Sequence, residues 1–341
     1  MKCKLLDICS FRKGKIDIEN LNTKNYISTE NMLPNKCGIT DASSLPTVSL
    51  VQEYKKGDVL VSNIRPYFKK IWQAKYNGGC SNDVLVFVPK SNTDRNFLYY
   101  VLANDDFFTY SMATSKGTKM PRGDKTSIMQ YEVPMFDLNA QNKVASILKS
   151  LDEKIELNNA INNNLLEQVL TLYRNKFVDT VNDKRQICRA DEYFDISIGK
   201  TPPRKEPQWF STNPQDVTWV SISDMGTCGL YINSSSEQLT REAIDRHNVK
   251  IVPDNTVLLS FKLTVGRIAI TDGEITTNEA IAHFKTDKKK INEYLYCYLK
   301  CFNYQTMGST SSIATAVNSK IIKGMPFVVP TDEEIIEFHR L

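Results

Sequence analysis

The chain has 341 residues, 41% hydrophobic and 24% charged, the balance of a globular protein with room for two cores, which excludes a disordered chain. Its 43 lysines and arginines against 39 aspartates and glutamates leave a net charge of +4, which permits nucleic-acid binding through local patches without demanding it. No apolar run long enough to span a membrane and no signal-peptide pattern occurs, so the expectation is a cytoplasmic protein with no membrane contact.

Eight scattered cysteines lack the paired spacing of a zinc site and read as free thiols. From Met1 to Gly57 short apolar pieces alternate with turn residues, which predicts short strands and long loops. Residues 57–61, GDVLV, read as a strand, and Ser62 to Lys70 as a basic loop carrying Tyr67 and Phe68. Asp83 to Val88 reads as a second strand, ended by Pro89. Asn96 to Tyr110 has helical spacing at Phe97, Tyr100, Val101 and Phe108. A glycine-punctuated basic loop, Ser115 to Lys125, and a last strand, Tyr131 to Val133, complete the first half.

Leu138 to Asp179 lies inside the longest run without glycine or proline, Met135 to Ile198, and nothing in it breaks a helix. Every third and fourth residue from Val144 gives Val144, Leu148, Leu151, Ile155, Asn158, Asn162, Leu165, Val169, Leu172 and Lys176, a coiled-coil seam of about five heptads with an asparagine gap. The predicted helix is roughly 60 Å long. Ile147, Leu157, Ile161, Leu166, Leu170 and Tyr173 widen its apolar face, so Val144, Leu148, Leu151, Ile155, Ile161, Leu165, Val169 and Leu172 are the expected partner interface, with self-association one of its outcomes.

Beyond this helix the pattern returns with a period of about 197 residues. Val59-Leu60-Val61-Ser62 recurs as Val257-Leu258-Leu259-Ser260, Ser81-Asn82-Asp83 as Thr277-Asn278-Glu279, and Phe97-Leu98-Tyr99 as Tyr294-Leu295-Tyr296. Each half runs strand, basic loop, strand, aromatic helix and Ser/Thr/Gly loop. A second helix is expected from about Thr331, its Asp332, Glu333 and Glu334 suited to the positive end of the helix dipole. The sequence stops at Leu341, leaving that helix short. The fold class expected is α/β (α+β), two similar domains with small mixed sheets separated by a long coiled-coil helix. The boundaries read as 1–136, 137–182 for the helix, 183–330, and 331–341 for the start of the second helix.

Gly199-Lys200-Thr201 fails as a phosphate loop, because Phe194 stands where the first glycine belongs and Pro202-Pro203 follow. No glycine-rich turn or Asn/Asp-Pro-Pro-aromatic motif of an S-adenosylmethionine-dependent methyltransferase occurs. His247, His283 and His339 stand at no metal-ligand spacing and read as surface or satisfied core histidines. No catalytic residue, no metal ligand and no directly bound cofactor is assigned. Basic residues interleaved with aromatic and small polar ones fill matching loops instead. They are Arg65, Tyr67, Lys69, Lys70, Lys116, Lys119, Arg122 and Lys125 in the first half, and Lys200, Arg204, Lys205, Trp209, Lys262, Thr264 and Arg267 in the second. Such side chains neutralise phosphates and reach base edges, which suits duplex DNA. The run Lys288 to Lys290 reads as a turn beside a helix.

Several segments resemble the specificity subunit of type I restriction-modification enzymes. Residues 139–148, NAQNKVASIL, through 151–158, LDEKIELN, are similar to that family's central helix. Ile198 to Pro202 with Trp209, Trp219 to Ile222 and Asp224-Met225 are similar to the opening of its target-recognition domains. Residues 262–267, KLTVGR, and 325–330, MPFVVP, are similar to later segments. The resemblance implies two target-recognition domains, each reading half of a split double-stranded DNA site, with the helical rod setting the gap. It implies methyltransferase (modification) and restriction (endonuclease and translocase) subunits as partners that bring the catalysis, with S-adenosylmethionine, ATP and Mg on those partners. It transfers no base-contacting residue. The alternative reading is a coiled-coil interaction scaffold with two binding modules and no DNA role.

Overall fold

The computed structural model describes residues 2–179, 185–304 and 317–340. It divides into two compact units, Met1–Asn159 and Ala160–Leu341. The expected boundary at residues 182 and 183 and the expected Ser/Thr/Gly loop of the second half lie outside the described residues, as does Leu341.

The first unit holds strands β1 (Lys2–Lys4), β2 (Cys9–Phe11), β3 (Lys15–Asp17), β4 (Tyr26–Ile27), β5 (Leu50–Tyr54), β6 (Val59–Ser62), β7 (Ile71–Gln73), β8 (Gly78–Cys80), β9 (Val84–Pro89) and β10 (Glu132–Pro134). Its helices are α1 (Leu5–Ile8), α2 (Arg95–Ala103), α3 (Asp105–Ala113) and α4 (Lys125–Ile128), and it includes the first part of α5 (Leu138–Tyr173). One sheet runs β2-β9-β6-β7, a second runs β3-β5-β8-β4, and β1 pairs with β10. The β4–β8 pairing is parallel and the others antiparallel, so the unit carries a mixed sheet.

In the second unit the strands are β11 (Ile187–Arg189), β12 (Asp195–Ile198), β13 (Phe210–Ser211), β14 (Val217–Val220), β15 (Tyr231–Ile232), β16 (Glu237–Leu239), β17 (Val257–Ser260), β18 (Ile268–Thr271), β19 (Thr276–Thr277), β20 (Ile281–Lys285) and β21 (Pro326–Val328). Helices α6 (Ala190–Tyr193), α7 (Ile222–Met225), α8 (Arg241–His247), α9 (Asn292–Cys301), α10 (Ser319–Lys323) and α11 (Asp332–His339) accompany them. The sheets run β12-β20-β17-β18-β15 and β13-β16-β14-β19, with β11 paired to β21. Parallel β14–β19 and β15–β18 pairs make both larger sheets mixed.

The repeated strand shows why the period is readable. Side chains alternate across a strand, and both faces of β6 are covered. Val59 and Val61 join Phe97, Leu98 and Phe107 in one core, while Leu60 joins Tyr54, Trp72 and Val86 in another. In β17, Val257 and Leu259 enter one core and Leu258 another. A strand buried on both sides needs an unbroken apolar run, and that run is what recurs.

The order β2-β9-β6-β7 is repeated by β12-β20-β17-β18. In the other sheet β4 and β8 correspond to β14 and β19, parallel in each unit. The counterpart of β5 is reduced to a single bridge, Val252 with Ile275. The additions differ: β3 lies beyond β5 in the first unit, whereas β16 and β13 lie beyond β14 in the second. Each unit thus carries two small sheets and a short ribbon, in keeping with the expected small mixed sheets.

The single helix expected over Asn96 to Tyr110 is two. Asn104 is extended, and its side chain accepts the backbone N–H of Asp106 at 3.0 Å, capping α3. An asparagine followed by two aspartates is a helix start, and it outcompetes continuation of α2.

α5 is a 36-residue helix that continues through a π-helical turn, Arg174–Val178, one residue short of the expected span. In the first unit Gln141 and Ala145 are its buried side chains. The Gln141 amide donates to the Asn92 and Phe136 carbonyls and accepts from the Asp94 N–H at 2.8–3.0 Å. In the second unit Leu170, Tyr173 and Phe177 enter the main core. Tyr173 and Phe177 meet the Tyr294 and Phe338 rings edge-on. Phe338 belongs to α11, which Thr331 caps in a capping box with Glu334.

Val144, Leu148, Leu151, Ile155, Ile161, Leu165 and Leu172 are exposed, as are Ile147 and Leu157. Val169 departs from this set: it is partly buried against the second unit's core. Removing the Phe177 ring should therefore cost the second unit about 3–5 kcal/mol, read as a shift of its urea transition in Phe177→Ala. A shift of the size seen for an exposed substitution would contradict the docking.

Candidate nucleic-acid interface

In the first unit the structure brings the two expected basic loops together. The Arg65 N–H donates to the Pro121 carbonyl at 2.8 Å, and the Gly123 N–H to the Asn63 carbonyl at 3.1 Å. Ile64 and Lys116 each bridge to Arg122. A Cβ on Gly123 would lie 2.8 Å from the Asn63 side-chain oxygen and from the Ile128 methyl, so this approach needs glycine. A third loop, which the basic-residue pattern did not single out, braces them. The Asn35 N–H donates to the Phe68 carbonyl and the Lys36 N–H to the Lys69 carbonyl, at 2.8 and 2.9 Å. Asn35, Lys36, Arg65 and Lys69 all have left-handed backbone, φ between 50° and 63°. Strain of this kind persists only where the surroundings over-determine it.

The charges on this surface are mostly engaged. Lys36 and Lys69 both bind Asp105, at 2.6 and 2.9 Å, and their hydrogen bonds hold its carboxyl down to about 2. Lys116 pairs with Asp124 and Arg122 with Asp83. Lys70 donates to the Thr29 carbonyl at 2.6 Å, and burial lowers its ammonium pKa. Tyr67 and Phe68 are exposed and tilted against each other, centroids 4.6 Å apart. Lys119 and Lys125 are exposed and make no ion pair among the described residues.

In the second unit the expected residues divide by role. Arg204 pairs with Glu237 at 2.9 Å and stacks over the Phe210 and Trp219 rings at 4.1 and 4.6 Å. Trp209 is buried, its indole N–H donating to Glu206. Arg267 turns inward, donating to the Ile222 carbonyl from 45 residues away. Lys200, Lys205, Lys262 and Thr264 are exposed, and Lys262 sits 5.6 Å over the Phe261 ring. The run Lys288 to Lys290 is a turn beside α9, with Lys289 donating to the Asp254 and Asn255 carbonyls and Lys288 pairing with Asp332. Leu263, missed in the sequence, stands at the tip of the loop after β17, 99% exposed.

His283 is fully buried. Its ring nitrogens meet the Ser197 and Thr277 hydroxyls at 3.0 and 2.7 Å, the satisfied core histidine the spacing suggested. Among the described residues no helix is long and apolar enough to cross a membrane.

Residues 1–167 and 182–338 each match the family described as the type I restriction modification DNA specificity domain. The chain belongs to that family. It is 22% identical to the HindI specificity subunit of Haemophilus influenzae over 92% of this chain and 86% of that one. It is 26% identical to the EcoDI specificity subunit of Escherichia coli over 49% of this chain and 39% of that one. Its fold is similar to the type I restriction-modification S subunit from M. genitalium, with a TM-score of 0.55 at 15% identity, over 100% of this chain and 86% of that chain. The family's two matches divide inside the stretch that carries α5, in keeping with the duplicated strand order.

Burial pushes the His283 imidazole down to about 3. It is neutral when folded and takes up a proton on unfolding, so stability falls as pH drops from the ordinary imidazole value of about 6.5 towards 3, by up to roughly 1.4 kcal/mol per pH unit. Urea midpoints measured from pH 7 to pH 4.5 should fall in the wild type and fall less steeply in His283→Gln. Parallel curves would show that His283 is not the titrating group.

Proposed function

We propose that this chain is the sequence-specific DNA-recognition subunit of a type I restriction-modification complex, with each unit reading one half of a bipartite duplex site. The observation that carries this is the duplication: one strand order, matched twice by one DNA specificity family, with basic loops at the same place in each copy. Two copies of one reader suit a site with two halves. The chain itself is non-catalytic in this reading. Methyltransferase and restriction subunits supply the chemistry, and S-adenosylmethionine, ATP and Mg belong to them.

α5 acts as the spacer, and its exposed seam from Val144 to Leu172 is the partner surface, since that much apolar surface marks an interaction site. Phosphate contacts fall to lysines without a carboxylate partner, namely Lys119, Lys125, Lys200, Lys205 and Lys262. Lys69, Lys116, Arg122 and Arg204 reach DNA by exchanging a carboxylate for a phosphate. That exchange costs little, because exposed ion pairs contribute only about 0–1 kcal/mol. Arg65, Lys70, Thr264 and Arg267 shape the loops that carry these contacts.

Binding by the assembled methyltransferase complex should weaken steeply with salt, the logarithm of affinity falling by about 0.9 per phosphate contact against the logarithm of salt concentration. Lys119→Ala with Lys125→Ala should make that slope shallower by up to about 1.8 while leaving the preferred sequence unchanged. An unchanged slope would remove these two lysines from the interface. Affinity independent of salt would favour the scaffold without a DNA role.

A further inference from the structure

The loop after β17 has a feature that the charge pattern does not explain. Leu263 is 99% exposed and has φ +59°, a conformation that β-carbon crowding disfavours in every residue but glycine. It is the centre of a tight turn in which the Thr264 N–H donates to the Lys262 carbonyl at 2.7 Å, the strained form of the three-residue turn. Other bonds fix that turn in place. The Ser260 hydroxyl donates to the Thr264 carbonyl at 2.6 Å and accepts the Arg267 N–H at 3.0 Å, and the Gly266 N–H donates to the Ser260 carbonyl. A flexible loop would relax the strain and fold the leucine down; this one holds it out in water.

The corresponding loop of the first unit repeats the device with different residues. Its strand-end serine, Ser62, donates to the Ile64 carbonyl at 3.1 Å, and the third residue after it, Arg65, has φ +51°. Beyond that position stand the exposed Tyr67 and Phe68. In both loops apolar tips are bordered by lysine, Lys262 in one and Lys69 and Lys70 in the other.

We infer that Leu263, and Tyr67 with Phe68 in the corresponding loop of the first unit, are base-contacting tips of the two units: apolar side chains held out on strained, serine-pinned loops to press on base edges or a base step within the groove. Of the bordering lysines, Lys262 and Lys69 take the phosphates. The chemistry fits duplex DNA, whose grooves offer thymine methyl groups and base-step faces to apolar side chains, between phosphates that attract the lysines. This rests on the DNA-recognition reading above and names residues that set its specificity.

The test uses the full chain in its methyltransferase complex. A randomised duplex library first yields the sequence that the wild-type complex enriches. Affinity for that duplex and for unrelated duplex is then measured at two salt concentrations for the wild type, Leu263→Gly and Lys262→Ala. Glycine tolerates positive φ, so Leu263→Gly should raise the melting temperature of the second unit. It should also weaken binding to the enriched duplex about tenfold or more, with the salt slope and the affinity for unrelated duplex unchanged. Lys262→Ala should instead make the salt slope shallower on both duplexes. Tyr67→Ala with Phe68→Ala should repeat the leucine result with fold and salt slope intact. A wild type that enriches a sequence while Leu263→Gly binds it equally well overturns the tip and leaves the DNA reading standing. A wild type that enriches no sequence overturns both.

Discussion

Both ends of α5 are built into a core, and the rest of the structure depends on that constraint. At one end a glutamine amide satisfies three backbone groups below the surface. A buried amide without those partners would cost free energy, so this contact fixes the helix in rotation as well as in position. At the other end Leu170, Tyr173 and Phe177 are part of the second unit's main core. Along α5 between these positions Leu148, Leu151, Ile155, Ile161 and Leu165 stay in water. Covering them would contribute about 25 cal/mol per Å², which is the physical case for a partner along this face.

The two units show how one core carries two different surfaces. The strands buried on both faces, β6 and β17, hold their places, since any change of register would turn packed side chains toward the wrong core. Freedom lies at the ends of strands and in what is added outside them. The first unit adds β3, and the second adds β13, β15 and β16. Loops following the same serine differ in length and tip, a short turn on Leu263 in one and a 3-10 turn, Pro66–Phe68, in the other.

Much of this was legible in the residues. A long stretch without glycine or proline predicted α5, and an apolar run repeated after about 197 residues predicted the duplicated unit. What could not be read was which face of α5 meets its own units. The heptad seam and the flanking residues are both apolar, so periodicity alone could not tell that Leu170 and Tyr173 dock while Leu165 and Leu172 do not. The basic loops were visible as composition, but Arg267 looks like a free cation until the Ile222 carbonyl is brought to it. Leu263 escaped notice because a single leucine in a polar loop carries no periodic signal, and only its backbone angle and exposure mark it.

The central claim is that each unit reads its own half of the site. It is tested most directly by the methylated DNA motif of the assembled complex, compared between the wild-type chain and one altered in the first unit's loops alone, Tyr67→Ala with Lys119→Ala. The account predicts that stringency is lost at base positions confined to one half of the motif, with the other half and the gap between them unchanged. Loss spread over both halves, or a changed gap, would contradict it.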